Sequence, residues 1–467
     1  MKHQHDIAAG RLTREDYRKN FEDLHAPLEG KTAAIEASRC FFCHDAPCIQ
    51  ACPTGINIPS FIRKISTGNL KGAAVDILSE NIMGGTCARV CPVETLCESA
   101  CVRNHSEEKP VTIGLLQRHA TDWLFDARVQ PFTRHATTGK RVAVVGAGPA
   151  GMACAHRLAL LGHQVKVFEA QPKAGGLNEY GLAAYKMVDD FAQRELQFIL
   201  SVGGIELETG KALGRDLSLK RLRKDFDAVF LGVGLAGTNA LSLEGELMDG
   251  VVDAVDAIAE LRQVEDLAKI KVGKRVVVIG GGNTAIDIAV QMKRLGAEAV
   301  TLVYRRGPDA MGATWYEQEL AKNNGVLIRY WAKPEALVGD AQGVSVIRFE
   351  QTRLDGAKLV GTGDTFEIPV DQVFKAIGQV LVPAKLGEGT EELQIGKGRI
   401  VVNNRRQTSL PGVYAGGDCI NAGALTVNAV QDGKLAAHAI HLDLTGQEVP
   451  LEMRRGHNAI DGEEIHG

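Results

Sequence analysis

The chain has 467 residues, with 53 Lys and Arg against 57 Asp and Glu, a formal net charge of −4, 45% hydrophobic and 24% charged residues. That length carries two or three packed domains, and a near-neutral balance without a basic run argues against nucleic acid as the main partner. No stretch of about 18 apolar residues occurs, which excludes a membrane-spanning helix, and the N-terminus, MKHQHDIAAGRLTREDYRKNF, has no apolar core and mixes acids among its bases, so no secretory signal is expected and a reducing cytoplasm is.

From residue 1 to about 135 the apolar residues recur at helical spacing: Leu70, Ala73, Ala74, Ile77 and Leu78, then Ile113, Leu116, Ala120 and Leu124. No strand is expected here. Eight of the ten cysteines lie between Cys40 and Cys101, and the rest of the chain holds only Cys154 and Cys419, which read as packed small hydrophobes. Such clustering needs a local cause, and in a reducing compartment metal ligation or redox chemistry outweighs structural disulfides. The first set is Cys40, Cys43, Cys48 and Cys52, followed by Pro53; the second is Cys87, Cys91, Cys97 and Cys101. Three close cysteines with a fourth before proline follow the bacterial ferredoxin run, in which the fourth cysteine ligates the other cluster of a pair. Thiolates so spaced can wrap a compact cubane, whereas a zinc ribbon would show two separated CxxC pairs. Two 4Fe–4S clusters are expected, with structural zinc and a disulfide framework as alternatives; spacing alone assigns no ligands.

After a polar stretch, His135 to Lys140, the character changes to RVAVVGAGPAG. Val142 to Val145 read as a buried strand and Gly146, Gly148 and Gly151 as the turn that opens a helix, with Pro149 and Ala150 inside it and Glu169 ending the next strand 23 residues after Gly146. Gly146 permits the tight turn, Gly148 lets the backbone approach a pyrophosphate, Gly151 allows close helix-to-strand packing, and Glu169 can accept ribose hydroxyls. Gly176 and Leu177 are further cofactor-binding candidates. A second unit, KRVVVIGGGNTA, places Val276 to Ile279 on a strand and Gly280, Gly282, Asn283, Thr284 and Ala285 at the turn. The acidic position falls near Tyr304, followed by Arg305 and Arg306, and two guanidinium groups in place of an acid suit a 2′-phosphate and hence NADPH over NADH. The alternative is that both arginines are merely solvated. A third turn, GVYAGGD, contains Gly417 and Asp418, and Thr426 and Val427 open a helix eight residues after Asp418.

Residues 140 to 445 resemble the two-dinucleotide-binding flavoproteins, in which an aspartate placed like Asp418 contacts the flavin ribityl and pyrophosphate region and the helix opened by Thr426 faces the ring. The resemblance implies a flavin domain interrupted by a nicotinamide domain, entered near Gly232 to Gly234 and left near Ala376 to Gly378. No side chain is singled out as a general acid or base, because hydride transfer between cofactors needs stacking and orientation more than proton chemistry.

The segments CFFCHDAPCIQACPTGINIPSFI, GGTCARVCPVETLCESACV and VTIGLLQRHATDWL are similar to the N-terminal helical domain shared by dihydropyrimidine dehydrogenase, the glutamate synthase small subunit and related electron-transfer flavoproteins. The resemblance implies one cluster on Cys40, Cys43, Cys48 and Cys101 and another on Cys52, Cys91, Cys97 and the side-chain oxygen of Gln117, with Cys87 buried and not ligating. The glutamate synthase small subunit characteristically has a glutamate sixteen residues after the last cysteine; the glutamine here matches the pyrimidine enzyme. Gln117 as an ordinary helix-surface residue is the alternative. In that enzyme the chain continues into an FMN-binding barrel and a further ferredoxin-like domain; here it is expected to need a separate partner.

The expectation is therefore an α/β protein with an N-terminal all-helical iron–sulfur domain (1–135) followed by two Rossmann-like dinucleotide-binding domains. The flavin domain would comprise 136–245 and 379–446, with an NAD(P)H domain at 246–378 and a polar tail at 447–467 that lies on the surface or meets a partner. Its expected function is the electron-input subunit of a dihydropyrimidine dehydrogenase, holding FAD, two 4Fe–4S clusters and NADPH or NADH. It would serve an FMN- and iron–sulfur-containing subunit that reduces uracil or thymine, in a heterotetramer without nucleic acid or membrane. Alternatives are a glutamate synthase small subunit, a ferredoxin–NADP-type oxidoreductase subunit, or a nucleotide-binding scaffold without electron transfer.

Overall fold

The computed structural model describes residues 12–421 and 425–450, with the backbone of residues 6–7 and Met453 in addition. The chain divides into two compact bodies, one of His25–Glu179, Asp189–Ala236 and Leu381–Gly467, the other of Met1–Leu24, Tyr180–Val188 and Gly237–Val380.

The larger body begins with helices whose apolar stripes are those expected. The helix Ile58–Ser66 starts where the Asn57 side chain accepts the Ser60 N–H, and it buries Ile58, Phe61, Ile62 and Ile65. The helix Leu70–Glu80 is capped in the same way by Asn69 on Gly72 and buries Ala73, Ala74, Ile77 and Leu78. Ile113, Leu116, Ala120 and Leu124 are the buried stripe of the helix Ile113–Asp126. Each large side chain so buried contributes roughly 1.5–3 kcal/mol. The same body holds a five-stranded parallel sheet in the order Val413–Ala415, Ala228–Leu231, Arg141–Val145, Gln164–Phe168, Ile205–Glu208.

The smaller body holds a second parallel sheet, in the order Leu327–Arg329, Ala299–Val303, Arg275–Gly280, Gln372–Ala376, Val251–Asp253. It also has an antiparallel three-stranded sheet, Ala332–Asp340, Gly343–Asp355 and Lys358–Pro369, which the motif reading does not anticipate. Gly237–Thr238 pairs with Gln379–Val380 close to the expected entry and exit of the inserted domain.

Two segments that precede this insert in sequence pack with it. Asp6–Ile7 pairs antiparallel with Val272–Gly273, a short strand where none is expected. The helix Arg14–Asn20, started by a Thr13–Asp16 capping box, puts Tyr17 into one core with Val276, Ile286 and Leu295. Tyr185 is fully buried with the Arg294 guanidinium 4.0 Å over its ring, and the neighbouring Lys186 ammonium lies 2.7 Å from Asp287 and 2.6 Å from Glu317. Hence the body boundaries depart from 135 and 245: aromatic anchors pull residues up to 24 and 180–188 into the insert. The expected surface position of the 447–467 tail falls, apart from Gln447–Pro450 and Met453, outside the described residues. Among the described residues no helix is long and apolar enough to cross a membrane.

Candidate functional site

The strand Arg141–Val145 ends in the first glycine turn, and the helix Pro149–Leu160 starts from it. Gly146 stands at φ +99°, and a Cβ there would lie 2.2 Å from the Gly232 carbonyl oxygen, so only glycine fits. A Cβ on Gly151 would lie 1.9 Å from the Gly146 carbonyl oxygen, the close packing the motif demands. Gly148 is the helix N-cap and faces Gly176, whose Cα is 3.7 Å from where a Gly148 Cβ would stand. Ala150 is buried beside Pro149, and Leu177 is exposed. The Glu169 carboxylate, buried, accepts the Ala147 N–H at 2.8 Å and the Gln171 N–H at 2.8 Å. Burial raises its pKa while those N–H groups oppose the shift. The expected ribose acceptor thus also braces the turn.

The third turn reaches the same place. A Cβ on Gly417 would lie 3.0 Å from the Ala150 Cβ, and the Gly417 N–H donates to Asp432 at 2.9 Å. Asp432 also accepts from Arg406 at 2.8 Å and from Asn421 at 2.6 Å. Thr426 opens the helix Thr426–Thr445, its hydroxyl donating to Asn178 Oδ1 at 3.0 Å, with Val427 buried beside it. Asp418 is pushed up to about 6 by burial, with Arg399 opposing and Asp432 adding. Asp432 and Asn178 organise this region without belonging to any motif.

In the smaller body the strand Arg275–Gly280 runs into the second glycine turn, and Gly282 caps the helix Asn283–Arg294. Ala285 is fully buried where a third glycine would stand, Thr284 is half-buried, and Asn283 Oδ1 is a buried acceptor without a hydrogen-bond partner among the described residues. An unsatisfied acceptor at a glycine turn fits a ligand donor. The Tyr304 ring closes over the turn, 2.5 Å from a Cβ built on Gly281, and its hydroxyl donates to the Ala310 carbonyl at 2.6 Å. Arg305 and Arg306 follow with exposed side chains, while their carbonyls are pinned by Thr352 and the Trp331 N–H.

No disulfide joins the eight clustered cysteines. Cys40, Cys43, Cys48 and Cys101 line one apolar pocket with Ile58 and Ile62. Burial pushes the Cys48 thiol up to about 12, with Cys40 and Cys101 adding to the shift, and the Phe42 N–H donates to Cys40 Sγ at 3.4 Å. In the second group Cys91 is raised by a hydrogen bond with Cys87, then by burial, then by Cys87, Cys97 and Cys52; Cys97 is raised by burial, Glu98 and Cys52. Buried Gln117 donates its amide to the Gly84 carbonyl at 2.7 Å, at the start of the helix Gly84–Val90 that leads into Cys91. Among the described residues no three His, Cys, Asp or Glu side chains converge tightly enough for a single metal ion. Cysteine sulfurs gathered in an apolar pocket are the donor chemistry that suits a 4Fe–4S cluster. Glu195, unmarked in the sequence, accepts the Gly85 and Thr86 N–H groups at 2.9 and 3.0 Å and braces that same helix start.

Residues 17–129 match the family model described as dihydropyrimidine dehydrogenase domain II, 4Fe–4S cluster, and residues 140–433, more than half of the chain, match that of pyridine nucleotide-disulphide oxidoreductase. The chain belongs to the pyridine nucleotide-disulphide oxidoreductase family. This oxidoreductase is 34% identical over 445 residues to the glutamate synthase (NADPH) small chain of Escherichia coli, covering 90% of this chain and 93% of that one. It is equally, at 34% over 430 residues, identical to the NAD-dependent dihydropyrimidine dehydrogenase subunit PreT of Escherichia coli, covering 92% of this chain and 98% of that one. Its fold is that of Mycobacterium tuberculosis FprA, solved in complex with NADPH, with a TM-score of 0.55, 21% identity, and coverage of 66% of this chain and 84% of that one. The oxidoreductase is an NAD(P)H-dependent flavin enzyme with FAD as its flavin and an N-terminal 4Fe–4S domain, as the sequence leads one to expect.

Proposed function

We propose that this oxidoreductase is the electron-input subunit of a dihydropyrimidine dehydrogenase, feeding a cytoplasmic FMN- and iron–sulfur-containing partner that reduces uracil or thymine, in a heterotetramer. The observation that carries this is Gln117. It is buried rather than on the helix surface, and its Nε2 is engaged by the Gly84 carbonyl, which supports Oε1 as the ligand atom in this reading. A neutral amide there departs from the glutamate characteristic of the glutamate synthase small subunit and lowers the cluster's negative charge.

In this reading Cys40, Cys43, Cys48 and Cys101 hold one cluster, and Cys52, Cys91, Cys97 and Gln117 the other. Gly146, Gly148, Pro149, Ala150, Gly151, Glu169, Gly176, Leu177, Gly417, Asp418, Thr426 and Val427 hold FAD. Gly280, Gly282, Asn283, Thr284 and Ala285 receive the nicotinamide dinucleotide, and exposed Arg305 and Arg306 are free to meet a 2′-phosphate. When bound, these groups supply the conversion of a two-electron hydride into single electrons. The chain's own residues bind and orient: backbone N–H groups at two helix N-termini would receive the pyrophosphates, and no side chain is assigned as general acid or base.

A second reading, the glutamate synthase small subunit, is favoured by the equal 34% identity to that relative. Co-expression with the neighbouring gene product separates the two. Uracil-driven NAD(P)H oxidation supports the pyrimidine reading, and oxidation only with glutamine plus 2-oxoglutarate defeats it.

A further inference from the structure

Lys434 lies two turns beyond Thr426 on the helix Thr426–Thr445 and is 3% exposed. Its ammonium donates to Glu80 Oε2 at 2.9 Å and to the Thr54 carbonyl at 2.9 Å. Beside this pair Arg157 is also buried, on the helix Pro149–Leu160; it donates to the Ser79 carbonyl, and Glu80 is the carboxylate that acts on it. The position is enforced by the preceding residue, since a Cβ on Gly433 would lie 2.1 Å from the Ala150 carbonyl oxygen, so the two helices are pressed together there.

Two buried cations share one carboxylate. An uncompensated buried charge is strongly unfavourable unless an anion completes the arrangement. An anion is available in this fold: Thr54 is two residues from Cys52, whose Sγ lies 3.3 Å from Thr54 Oγ1, and Cys52 is within electrostatic reach of Lys434. Ligation by three thiolates makes the second cluster anionic, and reduction adds one more negative charge without making or breaking a bond.

We propose that Lys434 is a positioning residue of the second cluster, its ammonium compensating the anionic site at Cys52, Cys91 and Cys97 and raising that cluster's reduction potential. A fixed positive charge in buried surroundings attracts the added electron more strongly than it would in water. Lys434 is eight residues from Thr426, about 12 Å along the helix axis, so one rigid element carries both the end assigned to the flavin and the charge that favours reduction of its electron acceptor. The inference rests on Cys52 being a cluster ligand.

The test is an electrochemical titration of the isolated holoenzyme with paramagnetic resonance detection, in wild type, Cys52→Ser, Lys434→Met, Lys434→Arg and Glu80→Gln. Cys52→Ser identifies the couple, either by loss of that cluster or by a shift of that couple alone; if it retains full iron and both couples unshifted, the ligand assignment fails, separately from the charge argument. Lys434→Met is expected to lower that couple at least tenfold in its one-electron equilibrium, about 59 mV, while leaving the other couple in place. Lys434→Arg keeps the charge and stays near wild type. An unmoved couple in fully loaded Lys434→Met, or an equal fall in Lys434→Arg, overturns the proposal. Should Lys434→Met lose its iron, Glu80→Gln decides: a raised potential supports the proposal, and an unmoved or lowered one overturns it.

Discussion

The two glycine turns share one backbone plan and differ in how tightly they are enclosed. At the first, Gly148 faces Gly176, Gly417 closes on Ala150, and the acid Glu169 is buried with two backbone N–H groups on its carboxylate. At the second, nothing stands within 4 Å of a Cβ built on Gly282, the acid has become Tyr304, and the following arginines are exposed. In the proposed reading the first receives a resident cofactor and the second a ligand that exchanges every turnover. Enclosure thus distinguishes the turns better than the glycine pattern does.

The strongest way to break this comparison is to add a side chain at each turn. Gly146→Val must meet the Gly232 carbonyl and abandon φ +99°; it is expected to cost at least about 3 kcal/mol and to yield protein without flavin absorbance. A stable, yellow Gly146→Val would remove the argument that this position admits only glycine. Acid should also strike the flavin side selectively, since His156 and His163, both buried in the larger body, have pKa values lowered by burial to about 3 and about 4. The unfolded chain binds protons near the ordinary 6.5 and the folded one does not, so stability held above pH 6.5 is lost as pH falls towards 4. The expected loss at pH 5 is about 2 kcal/mol for either histidine. Thermal melts at pH 7 and pH 5 check it, and His163→Gln should flatten the dependence.

Smaller effects sharpen the contrast. Glu169→Gln leaves one oxygen for two backbone donors and should weaken FAD binding about tenfold, about 1.4 kcal/mol, read by flavin release in fluorescence. Arg305→Glu should shift the NADPH-to-NADH ratio of kcat/KM about tenfold towards NADH; an unchanged ratio means the arginines are only solvated. Gly282→Ala should change stability by no more than about 0.5 kcal/mol while raising KM for the nicotinamide, with flavin content unaffected.

Much of this was legible because the relevant constraints are local. A turn that tolerates no Cβ selects glycine at a given spacing, as Gly146 and Gly151 show, and closely spaced cysteines such as Cys40, Cys43 and Cys48 mark a ligand run, whereas the distant Cys101 joins their pocket only in the fold. Buried strands such as Val142 to Val145 announce themselves as apolar runs. The shift from acid to arginine after the second unit is equally visible, because it occupies a known offset from the turn.

Other features depend on groups far apart in sequence. Tyr17 and Tyr185 anchor their segments in the smaller body, where each finds an apolar core, and no local pattern assigns a lone tyrosine to one core or another. Asp432 acquires its role only when Gly417, Arg406 and Asn421 are folded around it. Lys434 reads as a surface residue until Glu80 and Thr54, more than 350 positions away, enclose its ammonium. Sequence alone determined which cofactor chemistry this chain can hold, because turns and ligand spacings are set over a few residues. Tertiary structure decided how tightly each site is enclosed and which charges lie beside it, because desolvation and Coulomb energy depend on what long-range packing brings into contact.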